Sequence, residues 1–431
     1  MWLLKIMHED ESKLIPDNKF NNAIHSISIC LICIMILLLM HGLNAPTCGV
    51  VFLSEAFAAS KPSSSVLDTL KPGEWYEVPN SHLSKLAPLP PPGGGTSTTA
   101  AIMSAWSGGA YDAKRDRLIV WGGGHTDYAG NEIYVFDINK LKWERLTKPS
   151  PTTLFCGPLN EAAGQSDSRW NGDSTPVSRH TYDGLQYIPS IDKFWACGGS
   201  TWCVGPSDSL SWLFDFDILQ WKRKADAPEP VGTPVSAYDP VTGHVFIVNH
   251  TALYEYDPIH DSWRKRSSSV WQNGGNTAEI DPIRKRFIVI GSGDSFYYDL
   301  NERGILTRKQ LETTGDKEII YSDAPGLVYD PVIDKFVAWS GATAVYDSKT
   351  GKRTPLKISA NVYTLDLKTL VWTRHQPTGS VKPPSAVGDT PRGTFGRWQY
   401  IPSKDAFIGV NSVHTNVYFY KLPSDVKKTV K

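Results

Sequence analysis

Cysteine is scarce and unevenly placed: the chain has six in 431 residues, and Cys30, Cys33 and Cys48 fall within the first 58. The remaining three, Cys156, Cys197 and Cys203, are an odd number at spacings that fit no zinc motif. A disulfide-framework mini-domain and a structural zinc module are thereby excluded. Net charge is lacking as well. The 44 basic residues balance 44 acidic ones, so no broad field attracts a polyanion and no nucleic-acid partner is expected. The chain also lacks an apolar run long enough to span a bilayer, because the longest, at 27–40 (ISICLICIMILLLM), holds 14 residues against about 20 for a spanning helix.

That short run still has a reading. It precedes the small-residue site Ala56-Phe57-Ala58, the order expected of a secretory signal. Residues 1–58 are read as leader and 59–72 as linker, with an extracytoplasmic location, secreted or periplasmic. If the leader is retained, it is the one membrane contact. The leader is long before its apolar core, which leaves open a start codon downstream, at Met7 for example. Ala45-Pro46-Thr47 before Cys48 is a poor lipobox.

Aromatic residues (11%) and 35 glycines are abundant, as suits a twisted, turn-rich all-β protein. They repeat. Six marks punctuate the chain: Tyr111-Asp112, Tyr187-Ile188-Pro189, Tyr238-Asp239-Pro240, Ile280-Asp281-Pro282, Tyr329-Asp330-Pro331 and Tyr400-Ile401-Pro402. A repeat of roughly 40 to 50 residues, each unit reading as four short strands, predicts a β-propeller. The clearest unit runs from Arg117 to Leu146: an apolar strand, the glycines 122 to 124, an alternating strand to Asp137, then Trp143 opening a fourth. The same Asp-to-Trp interval recurs at Asp257–Trp263 and Asp366–Trp372. Six blades are counted. A seventh is left open by two candidate third strands between Ala342 and Asp366, AVYD and VYTLD.

The last unit stops after its third strand, whereas Gly73–Ser81 (GEWYEVPNS) looks like the segment starting at Trp143 (WERLTKPS). An N-terminal strand is therefore expected to complete the last blade and close the ring, removing free sheet edges. This places a single domain at 73–425 with a basic tail at 426–431. The glycine pair and the fourth-strand Trp resemble the kelch repeat, as in galactose-oxidase-like propeller domains, over residues 73 to 422. The resemblance implies a fold and leaves activity open.

Strand direction selects a functional face. Connections between second and third strands, and from fourth strand to next blade, emerge together, and they include the long ones at 147–178, 303–324 and 373–394. The opposite turns are tight. Loops on a rigid scaffold carry binding groups, so the long-loop face is the expected site. Placed there are His125, Asp127, Tyr128 and Asn131 from blade 1, Arg179, His180 and Tyr182 entering blade 2, and His250, Asp294, Asp323, Arg392, Arg397 and His414.

Each also has a structural reading. His250 and His414 can be hydrogen-bonded loop residues, Arg397 a strut bonding carbonyls between blades, and Tyr182 core. Trp106, Trp202 and Trp398 read as blade packing. Asp127 and Arg179 give His125 and His180 partners able to set tautomer and charge. Cys197 and Cys203 flank one hairpin and can form a disulfide in an oxidising compartment, with Cys156 an alternative partner for either.

A set of His, Tyr and Arg on an exported propeller resembles, in residue types and not in an ordered motif, the propeller-fold polysaccharide lyases, including ulvan-degrading ones. That resemblance implies β-elimination on a uronate polysaccharide, with His125 or His180 as base, Tyr128 or Tyr182 as acid and Arg179 or Arg397 neutralising the carboxylate. Asp127, Asn131, His250, Asp294, Asp323, Arg392 and His414 would bind ligand. No cofactor is predicted; a divalent metal on His125, His180 and a third histidine is left open, with no short-spaced ligand pair to support it. A copper oxidase is disfavoured because no cysteine is evidently paired with a site tyrosine, and a sialidase because its aspartate box does not recur. The competing class is a non-catalytic module binding a glycan or an envelope protein.

Overall fold

The computed structural model describes residues 66–93, 98–152, 171, 173–202, 205, 207–268, 274–341, 344–347, 352–355, 360–383 and 393–427. The leader, Arg392, Cys156, Cys203, the first half of the 59–72 linker and the end of the basic tail lie outside them. Among the described residues no helix is long and apolar enough to cross a membrane.

The chain folds as a six-bladed β-propeller. Blades 1 to 6 start with the strands Gly109–Asp112, Leu185–Ile188, Val235–Tyr238, Thr277–Asp281, Gly326–Asp330 and Trp398–Ile401. Each is the inner edge of an antiparallel sheet whose later strands step outward. These inner strands surround an axial cavity of about 230 Å³, lined in part by Tyr111, Gln186, Glu279 and Gln399.

Closure follows the sequence expectation. Trp75–Val78 pairs antiparallel with Val417–Tyr420, Trp75 opposite Tyr420, so the first strand of the ring is the outer strand of its last blade. The Trp75 ring packs 4.9 Å from Tyr420 and 5.4 Å from Trp339. Its indole N–H donates to the Ala360 carbonyl at 2.9 Å. Trp143 in blade 1 donates in the same way to Ser81, just beyond the closing strand, and Trp263 in blade 3 to Ala225, just beyond the outer strand of blade 2. In these three places the tryptophan is a staple between neighbouring blades, a large apolar body with one donor that reaches a carbonyl next door; Trp372 in blade 5 is buried with its indole N–H unpartnered among the described residues.

The tight turns have their own logic. Tyr111, Tyr187, Tyr329 and Tyr400 each donate a hydroxyl to the aspartate five residues on, Asp116, Asp192, Asp334 and Asp405. All four aspartates sit at positive φ, a conformation that short polar side chains tolerate. Arg115 joins Asp192 at 2.7 Å and Arg284 joins Asp334 at 2.6 Å, linking consecutive blades on this face.

The seventh blade is not formed. Val362–Asp366 is the third strand of blade 5, paired with Lys335–Trp339. Ala344–Asp347 instead pairs with Lys352–Pro355 as a separate two-stranded hairpin. The connection expected over 303–324 is also more structured than the sequence indicated. Lys309–Gln310 is the outer strand of blade 4, which has no tryptophan, and Thr314–Gly315 adds a parallel strand to blade 5.

Candidate functional site

Three segments meet at the long-loop face. The loop after the second strand of blade 1 starts at Gly122-Gly123-Gly124 and carries His125 and Asp127. Its course is pinned by Gly123 N–H donating to the Arg179 carbonyl at 3.1 Å and by Thr98 N–H donating to the Asp127 carbonyl at 2.8 Å. The segment entering blade 2 carries Arg179–His180, which pairs with Ser200–Thr201, and then Tyr182. The segment entering blade 1 supplies Trp106, whose carbonyl accepts from Tyr182 N–H at 2.6 Å.

His180 Nε2 lies 3.0 Å from Asp127 Oδ2. The His180 side chain is 3% exposed and that of Asp127 42%, so the pair reaches from the interior to the surface. His125 stands edge-on to His180 with centroids 4.7 Å apart, Trp106 lies 4.8 Å from the same ring and Tyr182 5.9 Å. His125 Nδ1 is buried without a hydrogen-bond partner among the described residues. One ligand atom each from His125, Asp127 and His180 lie within 4.8 Å of one another.

Trp106, Tyr182, Ala324 and Phe395, entering blades 1, 2, 5 and 6, share φ values of +46 to +48°. Left-handed backbone at four non-glycine positions costs on the order of 1 to 3 kcal/mol each and persists only where the surroundings over-determine it. Here Tyr182, Ala324 and Phe395 form one apolar cluster with Trp106 against it. Tyr182 meets Phe395 at 6.1 Å, from blades that are not neighbours, so the cluster covers the axis at this face.

The other expected site residues are placed as follows. Arg397 is fully buried. It donates to the carbonyls of Val410 and Met103 at 3.0 Å, to that of Gly393 at 2.6 Å, to that of Ser107 and to Asn411 Oδ1. This is the strut reading, and a guanidinium so engaged does not face a ligand. Arg179 is buried too, bonded to the Gly198 carbonyl at 3.0 Å and to both Asp208 oxygens at 3.1 Å. Tyr128 is buried and donates to Glu132, which also accepts from Tyr134 at 2.6 Å. Asn131 braces the following connection through Ser150, Thr175 and the Pro176 carbonyl.

His250 is exposed and meets Thr233 at 3.1 Å. Gly274 lies beside both the Tyr182 ring and Thr233, which puts His250 at the rim. Asp294 accepts from Asn276 at 3.3 Å and Asp323 from Ser292 at 3.2 Å, and burial raises the Asp294 carboxyl. His414 is exposed beside Ser412. Trp398 is packing, stacked 5.2 Å from Phe407. Cys197 is a buried free thiol; its expected disulfide partner Cys203 is outside the described residues.

Two carboxyls were not singled out from the sequence. Asp183 is buried and accepts from Ala278 N–H at 2.8 Å and Thr277 Oγ1 at 3.0 Å, joining blade 2 to blade 4, and burial pushes it well up. Glu279 faces the axial cavity, where burial pushes it up to about 7. The signal was available: Gln186, Glu279 and Gln399 each sit one residue before the Tyr or Ile of the repeat mark, where strand alternation turns a side chain toward the axis.

Compared with known proteins, the chain matches no family model and has no significant match among curated proteins. The fold and the site define a six-bladed propeller with a His, Asp and aromatic cluster on its long-loop face.

Proposed function

We propose that this protein binds a carbohydrate at the long-loop face and acts on it, with a uronate-containing polysaccharide as substrate class and β-elimination as reaction. The observation that carries the reading is the meeting of His125, Asp127 and His180 beside Trp106 and Tyr182, from segments far apart in sequence. Aromatic faces suit sugar rings and the polar cluster supplies proton transfer. The blade repeat is read as kelch-type, and the leader as an export signal that puts the chain where polysaccharides are met.

In this reading the His125, Asp127 and His180 cluster is the proton-accepting side. The C5 proton leaves to it, the C4–O4 bond breaks with its electron pair on oxygen, a C4=C5 double bond forms, and Tyr182 protonates the leaving oxygen. Arg179 and Arg397 do not supply the positive charge that the uronate carboxylate requires, since internal oxygens hold both. The rival reading, a non-catalytic module for a glycan or an envelope protein, is favoured by the near-complete cover over His180.

The test is ultraviolet absorbance of the conjugated double bond during incubation with a panel of acidic polysaccharides. Absorbance that grows with the parent chain and falls about 100-fold or more in Tyr182→Phe supports elimination. Glycan binding with no absorbance on any substrate leaves the binding module.

A further inference from the structure

We propose that His125, Asp127 and His180 form a binding site for one divalent cation of the zinc class, with at least one coordination position left open. Zinc bonds of about 2.1 Å in a tetrahedron set ligand atoms about 3.4 Å apart. The His180 to Asp127 edge, at 3.0 Å, is already near that spacing. The other edges, none above 4.8 Å, close by no more than about 1.5 Å.

Three further observations point to an ion. His125 Nδ1 is buried and unpartnered among the described residues, which is costly for a neutral imidazole unless a ligand meets it. Gly124, at φ +94°, leaves open the volume between the ligands: a Cβ there would lie 2.5 Å from His180 Nε2 and 2.6 Å from Asp127 Oδ2. The loop is also held in place by Thr98 N–H on the Asp127 carbonyl, the kind of support that orients metal ligands. Two imidazoles with one carboxylate select zinc, cobalt or a similar borderline ion over calcium or magnesium, which take oxygen ligands.

The catalytic consequence rests on the elimination reading. A cation there would supply, through space, the charge at the uronate carboxylate that Arg179 and Arg397 do not, while its open position would hold water. Water on such an ion titrates near pH 7, so bound hydroxide takes the C5 proton and becomes water.

The site is tested without reference to activity. The full chain, stripped with a chelator, is titrated with zinc by calorimetry, and with cobalt for its visible ligand-field bands. One equivalent of zinc, at least about tenfold weaker binding in Asp127→Asn and His180→Asn, retention in His250→Asn and no competition from calcium are expected. His125→Ala, on a loop and half-exposed, gives the same readout without disturbing the packed interior. No uptake, or uptake unchanged in all three ligand variants, overturns the proposal. Zinc uptake by a chain that eliminates no polysaccharide supports the site and removes the lyase reading. Elimination by the metal-free chain removes the ion's catalytic role and keeps the lyase.

Discussion

Arg397, in the last blade, donates from Nη1 to the carbonyl of Met103, 3.0 Å away in the segment that enters the first blade. The same guanidinium holds Ser107 in that segment and Val410 and Gly393 in its own blade. A fully buried cation thus fastens the seam at which the two ends of the chain meet.

Removing that guanidinium leaves several carbonyls unsatisfied, because lysine keeps the charge but cannot reproduce the planar fork. Arg397→Lys is expected to lose about 3 kcal/mol or more of stability, as when one partner of a buried charged network is withdrawn. Urea unfolding measures it. Per folded molecule, glycan binding stays as in the parent; a selective loss of binding with stability intact would instead return Arg397 to the ligand face.

The other half of the closure is Trp75. Its ring contacts Trp339, Trp398 and Tyr420, so Trp75→Ala is expected to cost about 3 to 5 kcal/mol. Trp143→Phe, which keeps the ring and removes the donor to Ser81, should cost only about 1 to 2 kcal/mol. Chemical denaturation of the two variants compares them directly.

Glu279 predicts a pH dependence. Its folded carboxyl is raised to about 7 from 4.5 by burial in the axial cavity, so the folded chain holds the proton more tightly than the unfolded chain. Its contribution is fully present below the ordinary glutamate range and is lost as pH rises toward 7. Because Glu279 is only half-buried by its exposed area, the shift is discounted, and the change across this window amounts to on the order of 2 kcal/mol. Glu279→Gln should flatten it in melting curves taken across that window, and an unchanged slope would reject the assignment.

Gly124→Ala separates the cluster from the fold. The new methyl group would clash with both His180 and Asp127 and sits at a positive φ, for a cost of about 1 to 3 kcal/mol and loss of zinc uptake. Gly304→Ala, also at positive φ but with nothing within 4 Å, should cost about 1 kcal/mol and keep uptake. Calorimetry with zinc on the two proteins reads the difference.

Much of the architecture was legible because a propeller is written in local terms. Each blade is a run of neighbouring strands, so the Tyr-Asp marks, the glycine patches and the fourth-strand tryptophan recur at a readable period, and even Trp75 betrayed its role by resembling the segment at Trp143. Where the local pattern weakened, the reading did too. AVYD and VYTLD are equally strand-like, and only pairing with Lys335–Trp339 chose between them; Lys309–Gln310 carries no tryptophan mark at all.

The site divides along the same line. Sequence alone determined where the blade strands and the loops between them fall, because strand alternation and chain direction are local properties. It did not determine which way a side chain turns once there. Arg179 and Arg397 turn inward to carbonyls and Asp208, Tyr128 turns to Glu132, and His125, Asp127 and His180 turn to one another. Those choices are made by packing between blades, where a buried charge or hydroxyl must find its partner among residues remote in the chain, and only the closed ring brings those partners within reach.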